Sequence, residues 1–218
     1  MKGMSFANVM PRCPLVLALT ILIAGSSCTD DTPPAQSGPS ADTPDALAAD
    51  LYSGQVGSSP DENRSLMSEH LADPDAMIAN LNAAARFLRE RDDVTGRVGT
   101  MGWCFGGGVA LTYALGGEDH EATAIFYGSL VTDPEILGSI DHEVYGSFAE
   151  NDGGIPPEQV NEFVAALRAA GIDNDVHIDD EVNHGFWLRI DGNPELRSEP
   201  GLDAWRRLKG YLRRTLSD

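Results

Sequence analysis

The densest chemistry in this chain lies in Gly102-Trp103-Cys104-Phe105-Gly106-Gly107-Gly108. Glycine two residues before and two after a thiol is what a tight strand-to-helix turn demands, because its backbone is strained and crowded. A helix starting just behind Cys104 would favour thiolate over thiol. The backbone N–H of Phe105 would then be the first donor of an oxyanion hole, facing charge that develops on an attacked carbonyl oxygen. The bland alternative is a glycine-rich turn around an inert, buried cysteine, or a phosphate-binding loop. The stretch lacks the Lys-Ser/Thr of a P-loop and does not match G-x-G-x-x-G.

A nucleophilic thiol needs a base, and the base needs a group to orient it. His184 lies in Asn183-His184-Gly185-Phe186, after a short strand, and Asp152 lies in Glu150-Asn151-Asp152-Gly153-Gly154, between a strand and a helix. Both therefore fall on loops after strand ends, in the chain order nucleophile, acid, histidine. Glu150 and Asp141 rival Asp152 as the acid. His70, His120, His142 and His177 lack a comparable setting. His177, within a strand, and His120, in Glu118-Asp119-His120-Glu121, are expected to be solvated. There is no H-E-x-x-H and no paired cysteine to hold a metal. Asp173, Asp175, His177 and Asp179 alternate along one strand face but lack the glycine of a calcium loop, so they read as a solvated acidic face. No metal and no cofactor is expected.

These residues need elements to carry them, and the pattern alternates helix and strand. Asp73-Pro74-Asp75 opens a helix with Ile78, Leu81, Ala85 and Leu88 on one face. Strands are expected at 97–102, 124–127, 144–149 and 175–178. Helices are expected from Gly106 to Leu115, from Pro156-Pro157 to Gly171, and around Leu202, Trp205, Leu208 and Leu212. Such alternation implies an α/β chain whose mostly parallel sheet is covered by helices on both faces.

The bulk numbers bound the rest. In 218 residues, 42% are apolar, enough for one buried core, and the net charge is -19. That acidity repels phosphate backbones and excludes nucleic acid as a partner. Lys2 and Arg12 precede the apolar run from Leu15 to Ala24, followed by Gly25-Ser26-Ser27 and Cys28. The run falls short of the about 20 residues of a membrane span. Residues 1–28 read instead as an export signal. Small residues leading into Cys28 also resemble a bacterial lipoprotein box, with Cys28 the lipid acceptor and Gly25 where a branched aliphatic residue is usual. The protein is thus expected at the cell envelope, touching a membrane only through that lipid. Residues 29–45, rich in Pro, Ser, Asp and Thr, read as a flexible linker, and 46–218 as the folded domain. Cleavage before Cys28 removes Cys13 and leaves Cys104 as a lone thiol.

Taken together, Gly-x-Cys-x-Gly-Gly-Gly, the Asp152 loop running into Ile155-Pro156, His184-Gly185-Phe186, Asp50-Leu51-Tyr52 and Tyr127-Gly128 resemble the dienelactone hydrolase family, from about Ala48 to the C-terminus. The resemblance implies an α/β-hydrolase fold. It makes Cys104 the nucleophile, His184 the base and Asp152 its partner, acting on a small-molecule ester or lactone through a thioester acyl-enzyme. Family members carry further strands before Asp-Leu-Tyr, including the loop with the second oxyanion donor; here signal and linker stand in that place. Loss of one donor typically costs about 10²–10³ in rate, and strand Val98–Gly102 is expected to be an exposed sheet edge. The family's carboxylate-gripping arginines follow Asp-Leu-Tyr and His-x-Phe. Here Ser53-Gly54 and Trp187-Leu188 stand there, with Arg189 one place late, which disfavours dienelactone itself. The alternative is a catalytically impaired domain serving as an exported binding module.

Overall fold

In the computed structural model, which describes residues 20–26 and 45–217, six strands form one sheet. They are β1 (Thr20–Ser26), β2 (Asp45–Ala48), β3 (Val94–Trp103), β4 (Ala122–Phe126), β5 (Val144–Ala149) and β6 (Asn174–Asp179), in the order β2-β1-β3-β4-β5-β6. From β3 to β6 the neighbours are parallel, while β1 runs antiparallel to both β2 and β3. The helices are α1 (Pro60–Leu71), α2 (Pro74–Arg89), α3 (Phe105–Gly116), the short α4 (Pro134–Leu137), α5 (Pro157–Ala169) and α6 (Pro194–Leu216). Four of them start alike. Ser59, Asp73, Asp133 and Asn193 each accept a backbone N–H of the first turn and are each followed by proline. The caps satisfy orphan donors, and a proline there forfeits no hydrogen bond.

Alternate residues of β3 face opposite layers. Val98 packs with α2 and α3 through Leu81, Ala85, Leu88, Val109 and Tyr113, whereas Met101 and Trp103 join the core that α6 closes with Ala204, Leu208, Tyr211 and Leu212. The mostly parallel, doubly covered sheet is the α/β-hydrolase architecture. All four parallel strands deliver their following loops to one end, where ligands bind in such sheets.

Three expectations are corrected by the structure. Val98–Gly102 is not an edge: β1 pairs along it from Thr20 opposite Gly102 to Ala24 opposite Val98. The apolar, branched stretch that resembles an export signal is also a good strand former, and an uncovered β3 offers it a row of unpaired backbone groups. The rest of residues 1–28, Cys28 included, lies outside the described residues, as does most of the linker.

His120 is not solvated. Its loop folds inward at the opposite end of the sheet from Cys104, where Nδ1 lies 2.9 Å from the Glu118 carbonyl and Nε2 lies 3.1 Å from Thr123 Oγ1. The His142 ring packs 4.5 Å away, and burial first, then this neighbour, depresses His120 to about 4. The acidic strand face is solvated only in part: Asp173 is exposed, but Asp175 and His177 are partly covered and Asp179 is buried. α6 lays two arginines across it: Arg207 binds the buried Asp179 at 2.5 Å, and Arg214 binds Asp175 at 2.7 Å and Glu143 at 2.6 Å. His177 is half-buried and bonded to Asp175 at 2.7 Å.

Candidate active site

Cys104 sits between β3 and α3 with φ 56° and ψ -118°, a left-handed conformation that costs a non-glycine residue energy. The turn is held from both sides. The N–H of Cys104 donates to the Phe126 carbonyl at 3.0 Å, and the Cys104 carbonyl accepts from Gly107 and Gly108 at 3.1 and 3.3 Å. The glycine spacing has a direct steric cause. A Cβ at Gly102 would lie 2.1 Å from the Gly106 carbonyl oxygen, backbone against backbone, so any side chain there opens the turn.

His184 and Asp152 are brought together by the register of β5 and β6, in which Ala149 lies opposite Asp179. Beyond that pair, the N–H of Glu150 donates to the Asp179 carbonyl at 3.0 Å and that of Asn151 to the Val182 carbonyl at 2.9 Å, so the two loops continue side by side. The Asp152 carboxylate is buried. Oδ1 accepts the N–H groups of Gly154 (2.9 Å) and Ile155 (3.2 Å), which leaves Oδ2 for His184 Nδ1 at 2.7 Å. The rival acids point elsewhere: Glu150 accepts the Glu181 N–H, and Asp141 pairs with His142 at the far end of the sheet.

The Cys104 thiol is held below its ordinary range, chiefly by a hydrogen bond with His184, then by the charge of His184, the Phe105 N–H and the charge of Arg189, which together outweigh burial. His184 is raised to about 9, first by Cys104 and then by Asp152, against a burial that opposes charge. The signs agree. A depressed thiol ionises at lower pH and a raised imidazole keeps its proton to higher pH, so both shifts favour a thiolate–imidazolium pair below about 9, where His184 titrates. Alkylation of Cys104 by iodoacetamide is therefore expected to rise at a lower pH than for an ordinary thiol and to step again at about 9, when His184 loses its proton. In His184→Asn both features should give way to one ordinary thiol titration near about 8.5. The same ordinary titration in the unmodified protein would show that no such pair exists.

Two aromatic residues of the site carry no catalytic pattern in sequence. Tyr127, with φ 38°, sets its ring edge-on to His184 at 5.0 Å; the only sequence signal was its place before Gly128. Trp187 stacks on Trp103, the neighbour of Cys104, at 4.9 Å.

A family model described as the dienelactone hydrolase family matches residues 45–216, which span the elbow and both loops. The chain belongs to the dienelactone hydrolase family. It is 32% identical over 181 residues, 77% of this chain, to a provisionally named carboxymethylenebutenolidase of Methylorubrum extorquens. It is 30% identical over 154 residues, 68% of this chain, to a carboxymethylenebutenolidase homolog of Xenopus tropicalis. The matched part spans 62% of each relative's length. Among solved structures, a dienelactone hydrolase-like promiscuous phosphotriesterase from metagenomic libraries superposes with a TM-score of 0.66 at 20% identity, over 78% of this chain and 74% of that one. That likeness supports the shared fold of the dienelactone hydrolase family.

Proposed function

We propose that this member of the family hydrolyses small-molecule esters or lactones through a Cys104-His184-Asp152 triad and a thioester on Cys104. The observation that carries the proposal is the 2.7 Å bond from the buried Asp152 to His184, whose imidazole is electrostatically coupled to a thiol on a strained elbow. The Cys104 thiolate attacks the carbonyl carbon and its electrons move onto the carbonyl oxygen, beside the Phe105 N–H. Collapse of this intermediate expels the alkoxide, which takes its proton from the His184 imidazolium. His184, now neutral, removes a proton from water as that water attacks the thioester. The acid leaves, and thiolate and imidazolium are restored. For a lactone, alcohol and acid remain one molecule. The names of the two relatives, carboxymethylenebutenolidases, favour including such cyclic esters.

Export with lipidation at Cys28 is the second half of the proposal. It carries a structural consequence, because cleavage before Cys28 removes β1 and leaves the β3 edge to be covered by other backbone.

Intact-mass measurement tests both halves. Protein quenched during turnover of a p-nitrophenyl ester should carry one acyl group, mapped to Cys104; turnover without acylated Cys104 would refute the thioester. Chain recovered from native membranes should begin at a lipidated Cys28, and an unprocessed N-terminus would refute export.

A further inference from the structure

Tyr52 is a further side chain beside the elbow, stacked on Phe105. It stands in Asp50-Leu51-Tyr52-Ser53-Gly54, just beyond β2, in a turn that the Asp50 carboxylate closes by accepting the N–H groups of Tyr52 (2.9 Å) and Gly54 (2.6 Å). Ser53 at φ 51° and Gly54 at φ 78° are two successive left-handed residues, and strain of that kind in a non-glycine residue must be held by its surroundings. Here α2 holds it, through Asn80 donating to the Asp50 carbonyl at 3.0 Å, and Leu51 is buried beside it. The result is a fixed phenol ring. It lies parallel to the Phe105 ring, with centroids 6.2 Å apart at 16°, and edge-on to His70 at 5.0 Å.

Phe105 is the residue whose N–H faces the Cys104 sulfur. The Tyr52 phenol is close enough to Cys104 to feel its charge, which adds to the effect of burial in raising the phenol above its ordinary range. It therefore stays protonated, and a donor, through the neutral range. Among the described residues its hydroxyl has no protein partner, so its hydrogen-bonding capacity is open to a ligand.

We propose that Tyr52 is a catalytic residue, donating its phenolic O–H to the oxygen that becomes negative when Cys104 attacks an ester carbonyl, alongside the Phe105 N–H. The inference rests on the hydrolase reading above and deepens it. A tetrahedral oxyanion gains most from two or more fixed donors, and tyrosine is an established donor type in such holes. The ground-state carbonyl oxygen carries little charge, so the bond strengthens only as the intermediate forms, and its loss lowers kcat more than it changes KM.

Tyr52→Phe keeps the ring, its stacking on Phe105 and the turn, and removes one O–H. It is expected to lower kcat for p-nitrophenyl acetate about 10²–10³-fold, with little change in KM. Iodoacetamide alkylation of Cys104, which forms no oxyanion, should proceed at the unmodified protein's rate. Affinity for a trifluoromethyl ketone, whose adduct on Cys104 is an ionised tetrahedral centre, should fall by a similar factor. Unchanged kcat in a folded Tyr52→Phe overturns the proposal. A parallel loss of alkylation also overturns it, because Tyr52 would then act on the thiolate. Failure of the unmodified protein to hydrolyse any ester, while Cys104 still alkylates, refutes the hydrolase reading and the Tyr52 role with it.

Discussion

Cys104→Ala is expected to reduce turnover of an activated ester by roughly 10⁶ while leaving the fold intact. The size follows from the proposed chemistry: without sulfur there is no acyl-enzyme, and triad members act as a unit, so His184 and Asp152 have nothing to activate. What should survive is a residual rate over water of about 10³–10⁴, from binding and from the Phe105 N–H, which is backbone and remains. The fold should tolerate the change because Cys104 is only partly buried and its turn is fixed by backbone hydrogen bonds and by glycines. Steady-state kinetics with p-nitrophenyl acetate, alongside a thermal melt of each protein, checks both statements. A folded alanine variant within about tenfold of the unmodified rate would mean that another group is the nucleophile.

The second large effect belongs to Asp152→Asn, expected to lower kcat by about 10⁴. The cause can be traced atom by atom. One carboxylate oxygen is committed to the N–H groups of Gly154 and Ile155, and only the other meets His184 Nδ1. Asparagine has one acceptor oxygen, and two backbone donors claim it, so its amide N–H₂ must turn toward the imidazole. Nδ1 then has to accept, the ring proton moves to Nε2, and the nitrogen facing Cys104 can no longer take up a proton. The imidazolium also loses the buried negative charge that supports it. Two readings should move together: kcat falls, and the pH dependence of Cys104 alkylation shifts toward that of an ordinary thiol. A fall in kcat with an unchanged alkylation profile would place Asp152 outside the control of the ion pair.

Much of the site was legible because its constraints are local. Gly102 and Gly106 flank Cys104 for a steric reason that acts across four residues, and such a reason leaves a readable spacing. The loops of Asp152 and His184 could be placed after strands because strand and helix periods are themselves local. α1 shows that a local signal can be present and still go unread. Ser59-Pro60-Asp61-Glu62 is a cap followed by an acidic first turn, and Glu62 reaches back to the Ser58 N–H at 2.6 Å. The helix buries no residue, however, so it has no apolar stripe to announce it.

The sequence by itself determined the family, the elbow and the placing of Asp152 and His184 on loops that follow strands, since each depends on backbone sterics or spacing within a few residues. Apart from the family resemblance, only the tertiary structure decided which carboxylate reaches His184. That choice follows from the register that sets β5 against β6, and Asp152, Glu150 and Asp141 look alike without it. Tertiary packing also buried His120, neutralised the acidic face of β6 with arginines from α6, and spread Thr20–Ser26 along β3. In each case the deciding partner lies more than ten residues away or on another element. Solvation, charge and strand pairing are properties of what surrounds a residue, and the surroundings exist only once the chain has folded.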